Sequence, residues 1–417
     1  MNGFFKITIL LLTWGWACLS SSFAQSTPAI DEQVIAETVP PADYLAYEQM
    51  ARFTLAMEQI HEQYVKAGQD VSYDTLIDGA IRGMMSNLDA YSEYMASDTL
   101  KSLQETTQEN FGGVGIVINQ LGPWITVVSP IEDSPGWEAG VMAGDQIRAI
   151  EGVSAKGMGM SDVVTQLRGT PGTEVTVEFW RPSENRGFEV SLTRSVIETP
   201  SVSDAIMLEE GIGYVRVKTF SEKTAELLRR EMTRLKRQHA QGLVLDLRGN
   251  PGGLLTAAVE VAGLFLPQGS LVVYTQGREG QERRDFYSRL NPHRLNPRLV
   301  ILINEGSASA AEIVSGALQD YDRAVLVGQT SFGKASVQSI VPLPDGSALK
   351  LTTASYFTPT DRQIHERGIP PDVEVVLPLR VWYRLQNGIE EGNWENDPQV
   401  MKAVELLRSE ISDETEG

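Results

Sequence analysis

Ser309 stands where an apolar segment ends and a helix-forming segment begins. The pattern predicts a strand over residues 299–303 and a helix that Ser309 opens. A hydroxyl at a helix N-terminus faces the positive end of the helix dipole, which favours a developing anion, so Ser309 is a candidate nucleophile. The same residues fit a capping box, with Glu312 reaching back to the start of the helix. Ser307 competes for either role, and both alternatives stay open at this point.

Lys334 is the candidate base. It lies in GQTSFGKASVQS, and if a strand follows Gly333, the side chains of Lys334, Ser336 and Gln338 share one face. Burial disfavours the ammonium form and lowers the pKa of a lysine. A neutral lysine can take the proton of a serine hydroxyl, and Gln338 is spaced to hold the amine in line. A surface lysine on a sheet edge is the alternative.

The segment from Gly328 to Lys334 also fits the phosphate-loop pattern G-x-x-x-x-G-K. Ala335 stands where that loop needs a hydroxyl for magnesium, and the following residues look like a strand rather than the required helix. The sequence therefore disfavours a nucleotide hydrolase.

A Gly-rich turn, Asn250-Pro251-Gly252-Gly253, follows a predicted buried strand. Consecutive glycines expose backbone N–H groups, so the turn suits an oxyanion hole, although an ordinary strand-to-helix turn would look the same. A Ser-His-Asp hydrolase would need a histidine near this core, and His365 is the one candidate. A serine–lysine pair is the better hypothesis among hydrolases.

Composition limits what else the chain can do. Its 55 Asp and Glu against 35 Lys and Arg leave a net charge of −20, which excludes a nucleic-acid binder held by a broad basic surface. The single cysteine, Cys18, excludes a disulfide scaffold. The four histidines have no metal-ligand spacing, so no metal or other cofactor is predicted.

The first 24 residues predict a signal peptide, with Lys6 ahead of an apolar run and Ser22-Phe23-Ala24 as the cleavage signature. The mature protein is then expected outside the cytoplasm, in the periplasm. An uncleaved leader is the alternative, and it would attach the protein to a membrane.

Changes of pattern along the chain predict a multidomain protein of mixed α/β and α+β class. The five predicted parts are a signal peptide (1–24), a linker with an N-terminal helical hairpin (25–109), a β-rich module with two helices (110–196), an α/β core (197–380) and an acidic, solvated helix with a tail (381–417).

Four segments carry a resemblance to a known family, DLRGNPGG, NEGSASAAEIVSGALQD, GQTSFGKASVQ and YFTPTDRQIHERGIPPDV, and the last three together are highly specific. In this order, behind the β-rich module, they resemble the C-terminal processing peptidases, which are exported serine proteases with an inserted PDZ domain. The resemblance spans nearly all of the mature chain, from about Tyr44 to Leu407. It implies that residues 110–196 form the PDZ domain and residues 197–380 the serine-protease core.

The resemblance implies roles for individual residues. The nucleophile, the base and the residue that orients the base would be Ser309, Lys334 and Gln338. The oxyanion donors would be the backbone N–H groups of Ala310 and of Gly252 or Gly253. No metal is implied.

The resemblance also implies partners. A peptide's C-terminal carboxylate would bind the PDZ loop Gly113-Val114-Gly115-Ile116, so the expected substrates are proteins with unstructured, apolar C-terminal tails. Arg168 is a hypothetical contact between the PDZ domain and the core. A homodimer through the N-terminal helices and an adaptor protein are further candidate partners.

The segment LDAYSEYM departs from the family, which often has Pro and His at the positions of Ala90 and Tyr91. We expect this departure to alter a turn and not the chemistry. The predicted function is an exported serine endopeptidase that recognises C-terminal tails and cleaves through an acyl-enzyme. The alternative is a non-catalytic PDZ scaffold with an inactive protease fold.

Overall fold

The computed structural model describes residues 41–65, 71–121, 123–278, 282–289, 296–378 and 394–416. The predicted signal peptide and most of the predicted linker lie outside the described residues, as does the start of the predicted C-terminal segment. No helix of the described ranges combines the length and the apolar character that a membrane span requires. The chain forms two compact units that divide between Ala80 and Ile81.

Both predicted N-terminal helices are present. Helix α1 spans Pro41–Gln63 and helix α2 spans Tyr73–Met85. The apolar stripe predicted on α1 is largely exposed, since Met50 keeps 66% and Ile60 45% of its accessible surface. The stripe is therefore a real feature of the helix, and most of it is not packed into a core.

The β-rich module is an insertion whose two ends lie side by side. Its entering strand β2 (Asn110–Gly113) pairs antiparallel with its leaving strand β9 (Ser195–Glu198). Between them lies a sheet in the order β3-β4-β5-β7-β8, in which β6 also pairs with β5. These strands are β3 (Ile116–Leu121), β4 (Trp124–Pro130), β5 (Gln146–Ile150), β6 (Val153–Ser154), β7 (Glu174–Arg181) and β8 (Arg186–Thr193).

The module also contains the two predicted helices. Before them, α3 (Ser97–Thr107) leads into the module, and the two helices of the module itself are α4 (Pro135–Glu138) and α5 (Met160–Leu167). Strand β7 buries every second residue, as the alternating sequence EVTVEFWR requires of a half-buried strand.

The α/β core is built on a six-stranded sheet in the order β10-β11-β12-β15-β16-β19, parallel from β11 onward. Its strands are β10 (Val202–Glu209), β11 (Ile212–Val217), β12 (Gly242–Asp246), β15 (Arg298–Ile303), β16 (Val325–Gly328) and β19 (Val373–Glu374). One face is covered by α6 (Thr224–Arg237), α7 (Leu255–Gly263) and α8 (Ala310–Asp320), and the other by α9 (Pro398–Glu416). All five residues of β12 are buried, because both faces of a parallel sheet are covered.

Helix α9 corrects the expectation of a solvated C-terminal helix. Its apolar residues recur at spacings of three and four and are buried against the sheet: Val400, Ala403, Val404 and Leu407. The acidic composition of the segment obscured this apolar stripe, which places the helix within the α/β core rather than beyond it.

A second, antiparallel sheet stands beside the first, in the order β1-β18-β13-β14, with β17 also paired to β18. Its strands are β1 (Glu93–Met95), β13 (Leu271–Gln276), β14 (Arg284–Tyr287), β17 (Ser336–Pro342) and β18 (Ala348–Phe357). Strand β17 begins two residues after Lys334. A strand in this position, where a phosphate loop needs a helix, argues against the nucleotide-hydrolase alternative.

Candidate active site

Ser309 occupies the turn between β15 and α8, at the carboxyl end of a parallel strand. Its backbone angles, φ 54° and ψ −113°, are disfavoured for any residue with a Cβ. Such a conformation costs on the order of 1–3 kcal/mol and persists only where its surroundings impose it. Ser309 also forms the capping box with Glu312. The box does not compete with nucleophilic chemistry, because the Ser309 hydroxyl donates no hydrogen bond among the described residues and keeps its proton for a base.

The turn that carries Ser309 is tied to the Gly-rich turn after β12. The Asn304 side chain accepts the amides of Gly249 at 2.9 Å and Gly306 at 3.0 Å. The amide of Ala308 donates to the carbonyl of Asn250 at 2.9 Å. These bonds hold the two turns in one fixed arrangement.

Ser307 and His365 are placed differently from Ser309. Ser307 is fully buried, and its hydroxyl donates to the carbonyl of Leu247 at 2.8 Å and accepts the amide of Asn304 at 3.0 Å. It therefore holds the turn and is closed to a substrate. His365 is exposed and makes no side-chain hydrogen bond within the described residues.

The Gly-rich turn packs directly against Ser309. A Cβ placed on Gly252, whose φ is +100°, would lie 2.7 Å from the Cβ of Ser309 and 2.9 Å from the amide nitrogen of Ala310. Only glycine permits this approach. The amide of Gly252 itself donates to the Asn250 side chain at 2.8 Å.

Two backbone amides beside Ser309 have no acceptor among the described residues, those of Gly253 and Ala310. Buried or converging N–H groups are nearly always paired, so two without a partner beside a strained serine are a candidate oxyanion hole. The sequence left Gly252 and Gly253 as alternatives. Because the Gly252 amide is already bonded, Gly253 is the better candidate.

Glu312 joins the serine turn to the lysine turn. Its carboxylate is fully buried and accepts the amide of Ser309 at 2.8 Å on one side. On the other side it accepts the amides of Gly333 at 2.7 Å and Lys334 at 2.9 Å, and the hydroxyl of Ser331 at 2.6 Å. One side chain thus fixes the relative position of both candidate reactive residues.

Tyr356 makes a second link. Its buried hydroxyl lies within hydrogen-bonding distance of two carbonyls, those of Ser309, at 3.1 Å, and Lys334. Burial, and then the charge of Glu312, raise the pKa of Tyr356 well above its ordinary value, so the group remains a hydroxyl donor.

The Lys334 side chain is half-buried, and burial lowers the pKa of its amine. Repulsion by Lys350 acts in the same direction, while Asp89, Glu312 and Glu93 oppose it. The direction is the one that a lysine base needs. Within the described residues the amine makes no hydrogen bond, and it lies 4.5 Å from the centre of the Tyr91 ring.

Gln338 is not brought into hydrogen-bonding contact with Lys334 in the described part of the chain. Its side-chain nitrogen donates to Ser336 at 2.9 Å and to Thr352 at 3.4 Å. Lys334 precedes the strand, and the pairing of β17 with β18 is irregular between Val337 and Gln338. The alternation that the sequence argument assumed therefore does not extend from Gln338 back to Lys334, and the orienting role of Gln338 stays a prediction.

The predicted peptide-binding loop joins β2 to β3. Gly115 has φ +67°, and the amides of Val114 and Gly115 donate to no described residue. The carbonyls point elsewhere, since that of Val114 accepts from Gly136 and that of Gly115 from Ile131, both at 2.8 Å. Ile116 begins β3, which is an edge strand open to a further strand. The loop therefore has the free donors that capture of a carboxylate requires.

Arg168 lies at the end of α5, with its guanidinium 4.6 Å from the ring centre of Phe111 on β2. In the described ranges it forms no ion pair or hydrogen bond with the α/β core. The predicted contact between the two domains through Arg168 is therefore not present in this structure.

Sequence reasoning missed the roles of three residues at this site: Glu312, Tyr356 and Tyr91. Glu312 was recognised only as a helix cap, because its bonds to residues 331–334 depend on the fold. Tyr356 carried no local signal. Tyr91 was expected to alter a turn and not the chemistry, and the structure adds a contact that the sequence did not indicate, since its ring centre lies 4.5 Å from the amine of the candidate base.

Comparison with known protein families is consistent with this geometry. The model described as peptidase family S41 matches residues 211–375. A PDZ-domain model matches residues 126–181, a range that does not include the loop 113–116. The N-terminal domain of the activating protease CtpB matches residues 13–99.

Individual relatives match over most of their length. The chain is 40% identical over 395 residues to the carboxy-terminal-processing protease of Bartonella bacilliformis, covering 88% of this chain and 90% of the relative. It is 37% identical over 324 residues to the carboxy-terminal processing protease CtpA of Bacillus subtilis, covering 78% of this chain and 68% of the relative. A solved structure described as an S41 protease from Bacteroides fragilis has a TM-score of 0.50 at 17% identity, with 83% of this chain and 92% of that chain covered, which indicates a shared fold.

Proposed function

Because this chain belongs to the C-terminal processing peptidases of family S41, serine-type peptidases that carry a PDZ domain, we propose that it cleaves exported proteins near their C-termini by a Ser/Lys mechanism. The nucleophile is Ser309 and the general base is Lys334. The observation that carries the proposal is the bridge made by Glu312, which binds the backbone of both residues beside two unpaired amides.

The reaction begins when the neutral Lys334 amine takes the proton of the Ser309 hydroxyl as its oxygen attacks the scissile carbonyl. The tetrahedral oxyanion accepts hydrogen bonds from the amides of Gly253 and Ala310. The Lys334 ammonium group then gives its proton to the leaving amine, and an acyl-enzyme on Ser309 remains. Lys334 takes a proton from the water that attacks this ester and returns it to the Ser309 oxygen as the acyl bond breaks, which releases the new C-terminus and restores the free serine.

The pH dependence follows from the state of the base. Lys334 must be neutral to accept a proton, and burial lowers its pKa from the ordinary value near 10.4. We therefore expect kcat/KM to rise with pH and to reach half of its maximum below that ordinary value. A protein in which Lys334 titrated like an exposed lysine would lack this feature.

Substrate selection is assigned to the PDZ domain. An unstructured, apolar C-terminal tail would add to the free edge of β3, with its carboxylate on the loop 113–116. Support comes from the unpaired amides of Val114 and Gly115 and from the PDZ family match.

Location and assembly form part of the proposal as well. We propose that the predicted leader directs the protein out of the cytoplasm, to the periplasm, and that it would anchor the protein to the membrane if it were not cleaved. The exposed apolar stripe on α1 is the surface through which a homodimer would form, and an adaptor protein would be a further route to substrates.

The test is cleavage of an unfolded protein with an apolar tail by the mature chain, Ser309→Ala and Lys334→Ala, each with and without an added C-terminal peptide. Wild-type cleavage that both substitutions abolish, with folding intact by circular dichroism, is the expected result. Glu305→Ala, an exposed change four residues from Ser309, is the matched control and should cleave normally. Activity that survives in Ser309→Ala would contradict the assignment of the nucleophile. Absence of wild-type cleavage in both conditions would leave two explanations, a gated enzyme that lacks its activator and the non-catalytic scaffold.

A further inference from the structure

The amine of Lys334 has an aromatic neighbour that the proposed mechanism does not use. Its nitrogen lies 4.5 Å from the centre of the Tyr91 ring, within the range of a cation–π contact. Among the described residues it makes no hydrogen bond, so the ring face is the specific contact that the structure gives to this amine. Tyr91 lies 243 positions away in the sequence, in the short segment before β1.

Tyr91 is held in place from both sides. The Asp89 carboxylate accepts the amides of Tyr91 at 2.7 Å and Ser92 at 2.8 Å, which closes a tight turn. The Ser92 hydroxyl accepts the amide of Thr352 at 3.1 Å, which fastens that turn to β18. Because β18 pairs with β17, the strand that follows Lys334, the main chains that carry the ring and the amine belong to one hydrogen-bonded framework.

We propose that Tyr91 is a positioning residue for the base Lys334. The Tyr91 ring holds the ammonium group that forms when the lysine takes the serine proton. The proposal rests on the proposed role of Lys334 as general base. A positive charge develops on the amine as Ser309 attacks, in a site where burial disfavours that charge. The negative face of an aromatic ring stabilises such a charge without adding a group that could itself accept the proton.

Other charged groups act on the same amine and must be kept constant in a test. From the Tyr91 segment these are Asp89 and Glu93, from β18 Lys350, and from α8 Glu312. Lys350 is paired with Glu93 at 2.8 Å, so their opposing effects on Lys334 partly cancel. The Tyr91 ring is uncharged, and its substitution leaves all four groups in place.

The experiment compares kcat/KM across pH for wild type, Tyr91→Phe and Tyr91→Leu. Loss of the ring makes the ammonium form less stable and lowers the pKa of Lys334. In Tyr91→Leu we therefore expect the acidic limb of the profile to move to lower pH by about 0.5 to 1 pH unit. We also expect the maximal kcat/KM to fall about two- to tenfold. Tyr91→Phe keeps the ring face and should retain the wild-type limb. Tyr287→Leu, a change to a half-exposed tyrosine that bonds Asp285, serves as the control.

A second measurement does not depend on proteolysis. The side-chain amine of Lys334 can be titrated by NMR in lysine-labelled protein, with Lys334→Arg identifying its signal, and its midpoint should move to lower pH in Tyr91→Leu. If Tyr91→Leu fails to fold by circular dichroism, Tyr91→Met replaces it in both measurements. An unchanged midpoint and an unchanged limb would overturn the proposal, as would an equal loss in Tyr91→Phe and Tyr91→Leu.

The outcomes separate this proposal from the proposed function. If Lys334→Ala abolishes cleavage while Tyr91→Leu behaves as wild type, Lys334 is the base and only the role of Tyr91 is wrong. If Lys334→Ala still cleaves, the Ser/Lys mechanism itself fails, whatever the NMR midpoint of Tyr91→Leu.

Discussion

The turn that carries Ser309 and the turn that carries Lys334 are built in different ways. The serine turn is bonded to the Gly-rich turn through backbone groups and through Asn304, and Gly252 packs against it at a distance that no other residue allows. The main chain of Lys334 is held as firmly, by Glu312 and Tyr356. Its side chain differs, because the half-buried amine has no hydrogen bond within the described residues.

The fold thus fixes the backbone of both turns through hydrogen bonds, and it does not fix the end of the Lys334 side chain in this way. Oxyanion donors must be in place before charge develops, since donors that reorganise during the reaction lose much of their effect. A general base must instead take a proton from the serine oxygen and then give it to the nitrogen of the leaving amine. Its own amine therefore has to reach two different atoms, while the main chain that carries it can stay fixed. The structure fixes the main chains of the nucleophile and the base through one common acceptor, Glu312, and leaves the Lys334 amine without a hydrogen bond among the described residues.

The largest effect is expected from removing that support. Glu312→Ala leaves three amides and one hydroxyl without their acceptor in a buried site, where each such loss costs about 1–3 kcal/mol. We expect the free energy of unfolding to fall by more than about 3 kcal/mol and cleavage to be lost. Urea unfolding followed by circular dichroism measures the first effect.

Glu312→Gln refines the comparison. It keeps the shape but offers one acceptor oxygen and an NH2 group to a set of donors, so we expect an intermediate loss of stability. The control is Glu305→Ala, on the exposed side of the serine turn, which should remain within about 0.5 kcal/mol of wild type. If Glu312→Ala were as stable as this control, the two turns would not depend on a common support.

The second effect concerns the serine turn alone. In Gly252→Ala the new Cβ would meet Ser309 Cβ at 2.7 Å and the carbonyl of Ala308 at 2.8 Å, so the backbone must shift. Displacement of the oxyanion donors should lower kcat by roughly 10²-fold or more, measured with a quenched peptide substrate.

Gly269→Ala is the matched control for that substitution. Gly269 also has a positive φ, +80°, but its Cβ would meet nothing within 4 Å. Gly269→Ala should therefore lower the free energy of unfolding through backbone strain and leave kcat unchanged. A similar fall of kcat in both variants would attribute the effect to strain and not to the approach of Gly252 to Ser309.

The elements that sequence reasoning located best are those with a strong local pattern. Strand β4 was predicted with the bounds that the structure shows, and β12 with its Gly-rich turn was recognised from a continuous apolar run. Ser309 could be singled out because a strand, a turn and a helix follow one another in fewer than 25 residues.

The antiparallel sheet shows where such reasoning ends. Strand β1 has three residues, and its partner β18 lies more than 250 residues further along the chain. Neither the pairing nor the contact of Tyr91 with Lys334 has a local signature, because both depend on the closure of a long loop. The base was therefore identified from a motif, while the groups that hold its main chain and face its amine could be found only in the structure.

The smallest effect concerns the amine itself. Since burial lowers the pKa of Lys334, the folded state binds fewer protons here than the unfolded state, and the charged amine reduces stability. The reduction is complete below the lowered pKa and disappears as pH rises to the ordinary lysine value. Lys334→Met should therefore be slightly more stable than wild type at neutral pH, by less than about 1 kcal/mol because solvent still reaches the amine.

The difference between Lys334→Met and wild type should shrink as the pH of the urea titration is raised, since both states of wild type then carry a neutral amine. Lys350→Met is the comparison variant, because it removes the ion pair with Glu93 at 2.8 Å. It should leave the free energy of unfolding unchanged or lower it slightly, in contrast to the small increase expected for Lys334→Met. A clear loss of stability in Lys334→Met would mean that the Tyr91 ring and the nearby carboxylates outweigh the cost of burial. The lysine side chain would then be fixed as firmly as the serine turn, and the contrast between a rigid nucleophile and an adjustable base would not hold.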